Sequence, residues 1–292
     1  MLLPRSVRLA FLYFVLVVLT AFASEAGVAQ SHDRDICNRT FAYAFEHRLI
    51  DKTIGEIVAE IGKRFLDAPY LAGSLDSAGG EHLVVNLRGF DCVTFIENSL
   101  ALARCIKGNT MAFDAYLAEL ERIRYRGGKQ QGYASRLHYF LDWIADNTAK
   151  GVVEDVTREI GGVPHRKTIN FMSTHRDRYP HLMADAAADS IREREKSISA
   201  TGWYWVPRAN VSALSGKIET GDIIAITTSV EGLDIGHTGI ALKEKNGVVK
   251  LLHAPDVGKT VSMTRTTLAQ YLAGHPKHTG VLIARPLNPP PR

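Results

Sequence analysis

Gly89-Phe90-Asp91-Cys92-Val93-Thr94-Phe95-Ile96-Glu97 is the stretch on which the reading of the whole chain turns. Asp91 is a strong N-cap residue, with a side-chain oxygen able to accept from the first free amides of a helix. Val93, Ile96, Leu100 and Ala103 then recur at helical spacing, which predicts a helix from Cys92 to about Ile106. A thiol therefore falls on the first turn, where unpaired N–H groups and the helix dipole favour an anion. A thiol so placed is expected to ionise below its reference pKa of ~8.5, and the thiolate is the nucleophilic form.

A lone cysteine is more often a small buried hydrophobe than a catalyst. What points to catalysis is two histidines far downstream, each in strand-like surroundings. They are His237 in Gly236-His237-Thr238-Gly239-Ile240 and His253 in Leu251-Leu252-His253-Ala254-Pro255. A cysteine followed much later by histidine is the chain order of papain-type sites. Such chemistry needs a thiolate, an imidazole that takes and returns a proton, and a third group that orients the imidazole. Cys92 and His237 fill the first two places. The third is open between His253 and Asp256, and the hairpin between them decides it. Asn246-Gly247 is a strong two-residue turn signal. A regular turn there pairs Lys245 with Val248, and so His237 with Asp256, leaving His237 and His253 on opposite faces. His253 is the preferred orienter, which requires a bulge or an odd-length loop in that hairpin.

Composition sets the outer bounds. The 292 residues are 46% hydrophobic and 23% charged, an ordinary globular balance. Residues 1–29 read as a secretory signal: Arg5 and Arg8 precede an apolar run from Leu9 to Ala23, with cleavage options after Ala23 or Ala29. An uncleaved anchor is the alternative. No cysteine lies near either option, so no lipid anchor is expected; the mature protein is read as periplasmic or secreted, without stable membrane insertion. Cutting after Ala23 removes two basic residues and no acid, which takes the formal charge from +4 to +2. A balance so near neutral argues against nucleic acid as a partner. With Cys92 set aside, Cys37 and Cys105 are left either as a disulfide or as two separate thiols.

The order of elements describes an α+β chain. Helices are expected over His32–Leu49, Thr53–Ala68, Phe113–Ile123 and Leu182–Ser197, with another after Ser135. Short strands are expected at Leu83–Leu87 and Thr168–Met172. From Trp203 the texture turns to antiparallel β, with runs at Trp203–Pro207, Asp222–Thr227, Thr238–Lys243, Val248–Ala254, Thr260–Met263 and Gly280–Arg285. The tail 286–292 is expected to be mobile.

Pro69-Tyr70-Leu71-Ala72-Gly73, Phe90-Asp91-Cys92, Gly221-Asp222-Ile223-Ile224, His237-Thr238-Gly239-Ile240 and Leu252-His253-Ala254 together resemble the ordered motifs of the NlpC/P60 superfamily of papain-like cell-wall hydrolases. The chain departs from the usual pattern in having Val93-Thr94 after the cysteine and a long insertion over 108–200. Both departures resemble the DUF1460 branch, N-acetylmuramoyl-L-alanine amidases selective for anhydro-muropeptides. The resemblance implies a single papain-like catalytic domain over 30–285, a nucleophile helix packed on an antiparallel sheet, and no cofactor or metal. It implies Cys92 as nucleophile, His237 as base and then acid, and His253 as orienter. The Cys92 amide and the Tyr70 hydroxyl would face the oxyanion, with muropeptides as the partner. Asp91, Thr94, Arg136, His138 and Asn170 are candidate substrate contacts. Three alternatives stay open: an endopeptidase cutting after D-glutamate, a silent wall-binding module, and a zinc amidase, although no His-Glu-x-x-His occurs.

Overall fold

The computed structural model describes residues 30–76 and 80–291, so the signal reading over 1–29 lies outside the described residues. Helix α1 (30–46) is followed by α2 (Ile54–Arg64). Thr53 starts α2 with a capping box: its hydroxyl accepts from the Glu56 amide while the Glu56 carboxylate accepts from the Thr53 amide. Ile57, Val58 and Ile61 on α2 are fully buried. Helix α3 (Cys92–Lys107) lies against α2, and α4 (Phe113–Arg124) and α5 (Phe140–Ala149) follow it.

After α5 come β1 (Val153–Asp155), β2 (Val163–His165), the short α6 (Phe171–Thr174) and α7 (Asp185–Thr201). The main strands are β3 (Trp203–Pro207), β4 (Ile223–Thr228), β5 (Ile235–Lys243), β6 (Val249–His253), β7 (Ser262–Met263) and β8 (His278–Pro286). Helices α8 (Val211–Leu214) and α9 (Leu268–Ala273) interrupt them. The eight strands form one antiparallel sheet in the order β2-β3-β8-β4-β5-β6-β7, with β1 also on β8.

Both faces of the sheet are covered, and alternation along β5 and β6 sorts the side chains. Ile240, Leu242, Leu252 and Ala254 belong to the larger core with α2 and α3, whereas Ala241, Val249 and Leu251 belong to the smaller core with α9. Close approach on the first side depends on glycine. A Cβ on Gly221, which has φ +92°, would stand 2.1 Å from the Gly55 carbonyl oxygen on α2.

The α+β expectation holds, and several elements differ in detail. Residues 83–87 form no strand, because their backbone is used elsewhere. The Leu87 amide donates to Asp33 and the Val84 carbonyl accepts from Arg124, while just before the stretch the His82 carbonyl accepts from the Tyr125 hydroxyl. Residues 168–172 give only a bridge from Ile169 to Gly232 before α6 begins. Ser135 ends a 3-10 turn, and the helix expected near it starts at Phe140. Cys37 and Cys105 are both buried, and no disulfide joins them.

Candidate active site

Asp91 caps α3 as the sequence suggests. Its Oδ1 accepts from the Val93 amide (3.0 Å) and the Thr94 amide (2.7 Å), and the Thr94 hydroxyl accepts from the Asp91 amide (2.9 Å). This box holds Cys92 at the first helical position. It also changes the electrostatics, because the amides that would have stabilised a thiolate are occupied by a carboxylate one residue away. Burial, and after it the Asp91 charge, push the Cys92 thiol up to about 12, against opposing hydrogen bonds from Thr238. The expected fall below the reference value is therefore reversed in the resting protein.

The β5–β6 hairpin puts His253, and not Asp256, within hydrogen-bonding distance of His237. Lys243 pairs with Val249, and the Glu244 amide donates to the Val248 carbonyl (2.8 Å), so the loop is the three residues 245–247. Gly247, at φ +82°, closes it, the usual geometry of a three-residue loop. With this odd count His237 and His253 fall on one face, and His237 Nε2 lies 2.7 Å from His253 Nδ1. Asp256 lies on the cavity wall, its Oδ1 accepting from the Val257 amide. A bulge between β4 and β5 at Ile226/Thr227 leaves Gly236 as the extra residue just before His237. On the other side of His237, the Thr238 hydroxyl donates to the Cys92 carbonyl (2.8 Å), tying the first turn of α3 to β5.

Cys92, His237, His253 and Tyr70 line one open cavity of about 730 Å³. Tyr70 is held there by its amide, which donates to the Lys259 carbonyl, and by the bonds of its neighbours Pro69 and Leu71 to Phe90; burial followed by the nearby Cys92 pushes its phenol up to about 12. Burial, then the neighbouring His253, lowers His237 to about 3; burial, then His275, lowers His253 to about 4. Both imidazoles are thus neutral at physiological pH. If the shared hydrogen sits on His237 Nε2, His237 Nδ1 is left as the acceptor.

Sequence reasoning did not find the far wall. Tyr271 on α9 stands edge-on to His253 with ring centroids 5.2 Å apart, and His275 and His278 stack beyond it. The available signal was Thr267-x-x-Gln270, which forms a complete capping box for α9.

The remaining candidates lie elsewhere. Arg136 and His138 line a separate cavity of about 190 Å³, together with Asp91, Tyr133 and Tyr139. Arg136 there pairs with Asp76 (2.5 Å), and a His138 ring nitrogen lies 2.8 Å from the Tyr133 carbonyl. Thr94 is buried and engaged in the cap. Asn170 lines neither cavity; it packs beside Gly232, whose carbonyl accepts from the Asn170 amide (3.0 Å). Among the described residues no group of three or more His, Cys, Asp or Glu is placed to hold a metal ion, and no helix is long and apolar enough to cross a membrane.

An open cleft in which a thiol, a phenol and paired neutral imidazoles converge has the make-up of a hydrolase site. Residues 60–281 match the model of the AmiA-like family, described as N-acetylmuramoyl-L-alanine amidase-like, and the chain belongs to that family of amidase-like hydrolases. An N-acetylmuramoyl-L-alanine amidase from Bacteroides uniformis is 34% identical, with a TM-score of 0.76 over 80% of this chain and 99% of that one. A Bacteroides fragilis protein provisionally described as a xylanase is 36% identical, with a TM-score of 0.73 over 77% of this chain and 99% of that one. A Legionella pneumophila protein of the DUF1460 family model, 20% identical, shares the fold with a TM-score of 0.69 over 91% of this chain and 98% of that one. No curated protein matches the chain.

Proposed function

We propose that the chain is a cysteine-dependent N-acetylmuramoyl-L-alanine amidase of papain-like, NlpC/P60 architecture, exported from the cytoplasm. The observation that carries this reading is the 2.7 Å contact between His237 Nε2 and His253 Nδ1, inside the cavity that also holds Cys92.

Cys92 Sγ attacks the lactyl carbonyl carbon of the muramoyl amide while His237 Nδ1 takes the thiol proton. The carbonyl oxygen becomes an oxyanion facing the Cys92 amide and the Tyr70 hydroxyl. Losing one such donor typically costs ~10²–10³ in turnover. Collapse breaks the C–N bond, and His237 returns its proton to the departing alanine nitrogen. Water then hydrolyses the muramoyl thioester, with His237 as base, and restores the thiol. His253 keeps the imidazole turned and accepts from its Nε2–H, the part played by the third group of a triad. Since thiol and imidazole are both neutral at rest, proton transfer accompanies attack rather than preceding it. Asp91 acts first as the cap; with Arg136 and His138 it also lines the smaller cavity, which suits the sugar side.

A glycosidase reading needs two carboxylates flanking the bond. The main cavity offers one, Asp256. Digestion of a defined anhydro-muropeptide followed by mass spectrometry tests the reading. Free anhydro-N-acetylmuramic acid plus intact stem peptide is the expected result. Products cut after D-glutamate, or full activity in Cys92→Ala, would refute it.

A further inference from the structure

The cavity that holds Cys92 carries more positive charge than the proposed chemistry uses. Arg265 and Lys277 both line it, and Asp256 is its single acidic residue. Neither cation makes an ion pair or a side-chain hydrogen bond among the described residues. Two other cations show the contrast: Arg124 is buried against Glu97, and Lys167 Nζ donates to three carbonyls within 2.7 Å.

Both side chains are exposed, and the backbone beneath them is held in place. Arg265 sits between Thr264 and Thr266, and the Thr264 hydroxyl donates to the Thr266 carbonyl (2.9 Å) while accepting from the Leu251 amide (3.0 Å). The Lys277 carbonyl accepts from the Ser229 amide (2.9 Å), and the neighbouring His278 amide donates to the His275 carbonyl (2.9 Å). Fixed backbone with free cationic side chains lowers the ordering cost of binding an anion.

The substrate says which half that anion belongs to. In a muramoyl amide the lactyl carboxyl is consumed in the bond to be cut, so the sugar half carries no acid and every carboxylate lies on the peptide. We propose that Arg265 and Lys277 form a carboxylate-binding subsite that recognises the peptide half of the substrate and sets specificity for acidic stem peptides. This inference rests on the amidase reading.

The test compares 1,6-anhydro-N-acetylmuramoyl-L-alanyl-D-glutamate with its bis-amide, which has the same shape without the charges. Wild-type protein should cleave the acid with kcat/KM about ten- to a hundredfold above the bis-amide, the range for a hydrogen bond to a charged group, expressed mainly in KM. Arg265→Gln/Lys277→Gln should reduce cleavage of the acid to the bis-amide rate and leave the bis-amide rate unchanged. Equal wild-type rates on the two substrates, or a double variant that slows both alike, would overturn the subsite and leave the amidase reading standing. Cleavage of neither substrate by wild-type protein overturns both.

Discussion

Replacing Asp91 by Asn separates the two jobs that its carboxylate performs. Asparagine is as good an N-cap as aspartate, so the Val93 and Thr94 amides keep their acceptor and the helix keeps its start. What disappears is the negative charge next to the thiol, the second cause of its upward shift after burial. With the thiol at about 12, only ~10⁻³ of Cys92 is thiolate at pH 9, and alkylation should climb about tenfold per pH unit through that range. A neighbouring like charge is worth about one pKa unit or more, so Asp91→Asn should alkylate about tenfold faster at any fixed pH below 11. Iodoacetamide labelling of Cys92, followed by peptide mass spectrometry from pH 5 to 10.5, reads this directly. Cys37 and Cys105 are buried and serve as internal references. A wild-type plateau between pH 5 and 8 would mean a preformed thiolate–imidazolium pair and sink the neutral-pair account. An unchanged rate in Asp91→Asn would clear the carboxylate of any part in it.

Removing the proposed orienting ring in His253→Ala should lower kcat by roughly 10²–10⁴, with KM little changed, as judged by product release from a muropeptide; near-normal turnover would leave His237 without need of a partner. Glu97 and Arg124 form a buried ion pair at 2.7 Å, so Glu97→Ala strands a cation and should cost about 3–5 kcal/mol, a melting drop of roughly 10 °C by calorimetry. Acid should also weaken the fold. His237 and His253 are held near 3 and near 4 when folded, against an unfolded value of ~6.5, so below that value only the unfolded chain takes up the proton. Each imidazole then costs about 1.4 kcal/mol per pH unit, roughly 2 kcal/mol by pH 5, and the loss levels off once the folded rings protonate near 3–4. Urea midpoints at pH 7 and pH 5 should differ accordingly; equal midpoints would contradict the buried neutral pair. Gly221→Ala should destabilise by about 2 kcal/mol or more, since its Cβ would collide with the Gly55 carbonyl and its φ is positive; an unchanged melting temperature would contradict that close approach.

How much of this was readable beforehand depended on how locally each feature is encoded. The α3 helix was legible because cap, periodicity and cysteine fall within one short stretch. The hairpin was legible only conditionally: the sequence required an odd loop for His253 to serve, but Asn246-Gly247 advertises an even one. Core packing outweighs that turn preference, because Leu252 and Ala254 belong inside with α2 and α3. Residues 83–87 have strand composition, yet Asp33 and Arg124 take backbone groups of theirs, and these partners are distant in sequence. The expected low thiol pKa failed first because burial desolvates the thiol, and then because the cap that creates the helix end sets a carboxylate on its amides beside the sulfur. Tyr271, His275 and His278 went unseen because a six-residue helix shows too little periodicity to announce what it carries.

The alignment of the two imidazoles is inherited from hydrophobic sorting. Leu251 and Leu252 are both wholly buried, on opposite sides of their strand. Sliding β6 by a single position would drive a histidine into oil, so such a slip would surface as misfolding long before it surfaced as slow chemistry. A variant that melts normally yet has lost turnover has therefore lost it through an altered side chain, and screening by thermal shift first would separate the two kinds of failure at little effort.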